Sequence, residues 1–173
     1  MERMPVVGLI RTGNWRSVQN ALEHLGVLVY PFEERGHGIE RIIIPGQGSM
    51  ASCMAAIAPH RETLEMANEC GAPILGICAG MHAMCRHSEE GDVNGLGWID
   101  REVKKLPDKR LPRMGWMDTA HGCMYFCHSF AIPAPDMGVH VIRQENLLGC
   151  QFHPEKSQQA GLDFLREFLE WRP

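Results

Sequence analysis

Pro73-Ile74-Leu75-Gly76-Ile77-Cys78-Ala79-Gly80-Met81-His82-Ala83-Met84 is the stretch on which the reading of this chain turns. Its apolar, branched start predicts a buried strand ending on a cysteine bracketed by Gly76 and Gly80, and Met81 to Arg86 predicts a helix. A strand that breaks at once into a helix, with small residues around the turn, has the elbow pattern of G-x-S-x-G with sulfur replacing oxygen. Such a turn holds its central residue in a strained backbone, so bulky neighbours are excluded. A helix N-terminus at the turn would favour thiolate. A second stretch, Gln151-Phe152-His153-Pro154-Glu155, supplies an imidazole base and a carboxylate to orient it. Together the two stretches predict a Cys78-His153-Glu155 hydrolase.

Working outward, the first half alternates strand and helix. Val6 to Ile10, Val27 to Tyr30 and Ile42 to Ile44 are predicted strands. Between the first two, Val18, Ala21, Leu22 and Leu25 recur at helical spacing, with Asn14 as expected N-cap and Gly26 at the stop. Arg11 to Asn14 is expected to be a structural turn, since it lacks the lysine and spacing of a phosphate loop. Helices are expected near 50–58 and 61–69, closed by Gly71. This pattern predicts a mostly parallel central sheet flanked by helices, in a single domain over residues 1–173. Pro45-Gly46-Gln47-Gly48-Ser49 and 78–80 both follow strands, at the edge where open α/β sheets bind ligands.

The second half reads as antiparallel: a glycine-rich turn region at 91–97, strands near 98–106, 125–130, 139–143 and 147–152, and loops at 33–38 and 132–138. A last helix begins near Ser157, with Leu162, Leu165, Phe168 and Leu169 on one face. The 173 residues carry a net charge of −4 with no basic stripe, which argues against a nucleic-acid partner. No apolar run reaches membrane-span length and no signal-peptide core follows Met1, so no membrane association is expected. Seven irregularly spaced cysteines argue for a reducing, cytoplasmic setting rather than a disulfide framework. His121, Cys123, Cys127 and His128 match no standard metal-ligand spacing, so neither metal nor other cofactor is expected.

Four segments go beyond a generic elbow: Gly13-Asn14-Trp15-Arg16-Ser17-Val18, Gly76 to Met81, Met114-Gly115-Trp116, and Phe152 to Gln158. They resemble class I glutamine amidotransferases, and within them the glutaminase subunits of imidazole glycerol phosphate synthase, from about Val6 to Leu169. The resemblance implies hydrolysis of L-glutamine to glutamate and ammonia, with ammonia passed to a cyclase or synthase partner in a heterodimer. It implies Cys78 as nucleophile, His153 as base and Glu155 as its orienter, with backbone N–H groups of Gln47 and Ala79 meeting the oxyanion. Gly46, Gly48, His82, Ser129 and Phe130 match the family's glutamine pocket, and Lys156 a lysine facing the synthase. This chain departs from the pattern in having Gln47 for valine, His82 for glutamine and Phe130 for tyrosine, and 118–124 and 131–145 look trimmed. Two neighbouring readings are a glutaminase feeding a synthetase that amidates a surface sugar, and a cysteine hydrolase of γ-glutamyl peptides. A third is a non-catalytic regulatory homologue.

Overall fold

The computed structural model describes residues 4–33, 38–135 and 138–173. Residues 34–37 of the 33–38 loop, 136–137 of the 132–138 loop, and 1–3 at the expected N-terminal start lie outside the described residues.

Short apolar strands build the floor of the molecule. β1 (Val6–Leu9), β2 (Leu28–Pro31), β3 (Arg41–Ile44), β4 (Ile74–Ile77), β11 (Val141–Gln144) and β12 (Leu147–Cys150) form one six-stranded sheet in the order β11-β12-β4-β3-β1-β2. All neighbours are parallel except the edge pair β11–β12. β1, β3, β4 and β12 are buried along their whole length, because helices cover both faces. Successive residues of β3 show the alternation. Ile43 packs under Val18 and Leu22 of α1 (Trp15–His24) and Phe164, Leu165 and Phe168 of α5 (Gln158–Glu170). Ile42 and Ile44 face the other side, with Cys53 and Ile57 of α2 (Met50–Ile57), Leu64 of α3 (Arg61–Glu69) and Met81 of α4 (Ala79–Met84).

The chain leaves β1 toward one edge and returns to β3 on its other side. Loops at the carboxyl ends of these strands therefore meet at a topological switch point. The packing there is backbone against backbone. A Cβ on Gly13 would lie 2.4 Å from the Gln47 amide nitrogen, one on Gly46 2.2 Å from the Gly80 nitrogen, and one on Gly80 1.8 Å from the Ile44 carbonyl oxygen.

The second half holds a four-stranded sheet, β10-β7-β5-β6, from β5 (Cys85–Ser88), β6 (Val93–Asn94), β7 (Ile99–Lys105) and β10 (Phe130–Ala131). A separate antiparallel hairpin pairs β8 (Arg113–Thr119) with β9 (Gly122–His128), so the stretch 118–124 is its tip.

Several sequence expectations are corrected. The elbow helix runs over Ala79–Met84 rather than 81–86; Cys85 leaves it in extended backbone and begins β5. The 91–97 turn region contains β6, and β8 was not anticipated. Asn14 precedes α1, yet its side chain caps no backbone N–H; its Oδ1 accepts the Ser17 hydroxyl at 2.8 Å. On α5 the buried face includes Phe164, whereas Leu162 is only half-buried. Among the described residues no helix is long and apolar enough to cross a membrane.

Candidate active site

Ile77 ends β4 and Ala79 starts α4, so Cys78 must turn the chain in a single residue. It does so with φ 51° and ψ −111°, a left-handed backbone that side chains rarely adopt. The strain is held by neighbours: the Cys78 amide donates to the Cys150 carbonyl at 2.7 Å, and its carbonyl accepts the His82 amide at 3.0 Å. Gly76 and Gly80 are required by contact, since a Cβ on Gly76 would come within 2.7 Å of Gly80 backbone atoms. The glycine bracket is therefore a packing necessity.

His153 reaches the same place from the far end of the chain. β12 is hydrogen-bonded to β4, and the residues just after it lie beside the elbow. The His153 amide donates to the Tyr125 carbonyl at 2.9 Å. The Ser157 hydroxyl ties the same turn, donating to the His153 carbonyl at 2.6 Å and accepting the Tyr125 amide at 3.0 Å. Ser157 thus precedes α5 as expected, but it braces the histidine instead of capping the helix. The ring's Nδ1 is 2.9 Å from Glu155 Oε1, both side chains almost fully buried. Burial alone would push the His153 pKa down. Hydrogen bonds and charge from Cys78 and Glu155 outweigh that and raise it to about 10. A thiol, an imidazole that feels its charge and a carboxylate holding that imidazole are the groups that covalent acyl transfer requires.

Cys78 opens onto a pocket of about 240 Å³. Gly46, Gln47, Gly48, Ala79, His82, Ser129 and Phe130 all line it, so the two special loops and the His-Ser-Phe segment converge on one pocket. Lys156 lies apart, its Nζ 6.0 Å from the Tyr125 ring centroid. His128 of the His-Ser-Phe segment lines the pocket too, and Pro112, Cys127 and Glu90, which were not anticipated, complete the lining. Glu90 follows β5, and its Oε2 accepts the Met50 amide at the start of α2 at 2.9 Å. Nothing local in the sequence marks it; only the turn after β5 brings it in. His128 is buried among His82, His140, His153 and Arg113. Desolvation first, and the positive charge that those neighbours carry or can gain second, lower its pKa to about 4.

The two amides expected to meet an oxyanion are not both free. The Ala79 amide donates to the Gly46 carbonyl at 3.2 Å. All seven cysteines are free thiols, and burial pushes Cys53 and Cys85 up to about 12 and Cys150 well above its ordinary value. Among the described residues no group of three or more His, Cys, Asp or Glu is placed to hold a metal ion.

The chain is 36% identical to imidazole glycerol phosphate synthase subunit HisH of Idiomarina loihiensis, over 91% of this chain and 92% of that protein. It is 38% identical to the same-named subunit of Zymomonas mobilis, over 93% and 92%. No family model matches it. Among solved structures it is similar to one titled as a glutamine amidotransferase, with a TM-score of 0.79 at 22% identity over 95% of this chain and 97% of that one. PurLQS from Thermotoga maritima superposes with a TM-score of 0.71 at 16% identity, over 96% and 98%.

Proposed function

The chain belongs to the HisH family of imidazole glycerol phosphate synthase subunits and is a glutamine amidotransferase, and from that premise we propose the residues and steps of its reaction. The residues act as one domain that hydrolyses L-glutamine to glutamate and ammonia. The observation that carries this reading is Cys78 on a ligand-sized pocket, with the buried His153–Glu155 pair set so that charge from Cys78 and Glu155 raises the His153 pKa.

The Cys78 thiolate attacks the side-chain carboxamide carbon, and His153, protonated in the resting site, delivers its proton to the departing ammonia. Water then attacks the thioester. His153 takes the water's proton, the C–S bond breaks, and its electron pair returns to Sγ. Glu155 keeps the ring's Nδ1 proton and its orientation throughout. Glu90 is the carboxylate that faces the α-ammonium of glutamine, while Gly46, Gly48, His82, Ser129 and Phe130 shape the pocket around it. The negative oxygen is met by N–H groups of Ala79 and Gln47. For Ala79 to serve, its present bond to the Gly46 carbonyl must open, so the 45–48 loop turns one peptide before turnover.

Ammonia is passed to a cyclase partner subunit. Exposed Met114 and Trp116 on β8, with Lys156 beside Tyr125, form the apolar and cationic surface for that contact. The free thiols fit a cytoplasmic setting.

The test is a glutamine-mimicking chloroketone followed by mass-spectrometric mapping of all seven cysteines. Cys78 is expected to be labelled first and to be protected by excess glutamine, because burial holds Cys53, Cys85 and Cys150 as thiols. Labelling spread over several cysteines, or unaffected by glutamine, would refute the reading.

A further inference from the structure

A second imidazole reaches the nucleophile through one intervening amide. His82 Nε2 lies 2.9 Å from Gln151 Oε1, and Gln151 Nε2 donates to Cys78 Sγ at 3.5 Å. The amide is sealed from water, with Gln151 1% exposed and His82 3%. Desolvation pulls the His82 pKa down to about 4, against the Gln151 bond that raises it, so the ring is neutral in ordinary buffers. An amide oxygen only accepts, so the neutral ring must carry its proton on Nε2. That bond directs the carbonyl end of Gln151 at His82 and leaves its NH₂ end facing the sulfur. The Gln151 backbone is fixed too, its amide donating to the His140 carbonyl at 2.8 Å.

We propose that Gln151 is a catalytic hydrogen-bond donor to the Cys78 sulfur, with His82 as the residue that positions it. The inference rests on the glutaminase reading of the same site and adds a second partner for the sulfur's charge. Sulfur carries that charge twice in the reaction: before the C–S bond forms, and again when the thioester C–S bond breaks and the electron pair returns to Sγ. Hydrogen bonds to a charged acceptor are the strong ones, and a buried donor needs no rearrangement to make them. In between, Sγ is a neutral thioester sulfur and a weak acceptor. The Gln151 bond therefore favours both the attacking and the leaving form of Cys78.

The test reads the sulfur directly, by iodoacetamide alkylation of Cys78 across pH. Gln151→Leu is expected to slow alkylation about tenfold or more at pH 7, with the deficit closing as the pH rises toward 10. His82→Leu, which leaves Gln151 in place without its anchor, should show a smaller deficit of the same form. His82→Gln should restore the wild-type profile, because its own amide N–H can hold the Gln151 carbonyl. Unchanged alkylation at pH 7 would overturn the proposal. So would a deficit that is uniform across pH, as a purely structural Gln151 would give. If Gln151→Leu does not fold, the two His82 variants decide, and no difference between them overturns it. Glutamine turnover in the same samples separates the two readings. A wild type that is alkylated as expected but does not turn over glutamine refutes the glutaminase reading alone.

Discussion

His153 and His82 are both buried and both linked to the same sulfur, yet their surroundings drive them apart. Burial pulls each ring toward neutrality, but His153 meets hydrogen bonds and charge from Cys78 and Glu155 and rises to about 10. For His82 the opposing influence is the hydrogen bond to the Gln151 amide, and the ring settles at about 4. A neutral hydrogen bond orients an imidazole without offsetting the loss of water around its charged form, whereas hydrogen bonds combined with charge can more than offset it. One ring is held charged and the other neutral.

The harshest way to break this contrast is to remove the charged side. His153→Ala is expected to lower glutamine turnover about 10³-fold or more, measured as steady-state glutamate release, because triad members act as a unit. Glu155→Gln keeps shape while removing charge, and should cost about 10²-fold or more in the same assay. It should also bring the His153 ring back toward ordinary titration, visible in its imidazole NMR shifts; a ring that still titrates near 10 would assign the whole effect to Cys78.

The smallest effect is on stability, and there the two kinds of histidine act at opposite ends of the pH scale. His82 and His128 are depressed when folded, so the unfolded chain binds more protons between about 4 and 6.5. Stability is therefore full above 6.5 and lost as pH falls toward 4, on the order of 3 kcal/mol per ring. His153 is raised, so its contribution is full below 6.5 and lost as pH climbs toward 10. Thermal midpoints plotted against pH should form a dome. His128→Gln should flatten its acid side and leave the alkaline side in place; an unchanged acid side would remove His128 from this account.

The parallel half was legible because its rules are local: Ile42 to Ile44 and Ile74 to Ile77 are apolar on both faces, and a cysteine between two glycines after such a strand has few other uses. The residues that needed the fold are those whose role comes from distant neighbours. Cys85-Arg86-His87-Ser88 continues a helical composition, yet it pairs with β6 and β7 and leaves the helix at Met84. Met114-Gly115-Trp116 was readable as a motif but not as strand, since exposed Met114 and Trp116 share β8 with Gly115 at φ 139°. Glu90 enters the pocket only through the turn between β5 and β6, and Ser157 proved a brace for His153 because Tyr125 lies across from it. Gln151 stood in plain view beside the His-Pro-Glu turn. Its meaning depended on His82, 69 positions away in the chain.

The close approach of Gly46, Gly80 and Ile44 also sets how little the elbow can be altered. A methyl group at position 46 would meet the Gly80 nitrogen, and one at position 80 the Ile44 carbonyl, so neither obstacle is removed by changing the other residue first. Each obstacle is main chain, which has no alternative rotamer to retreat into, so an added carbon at either position has to move the strand or the helix itself.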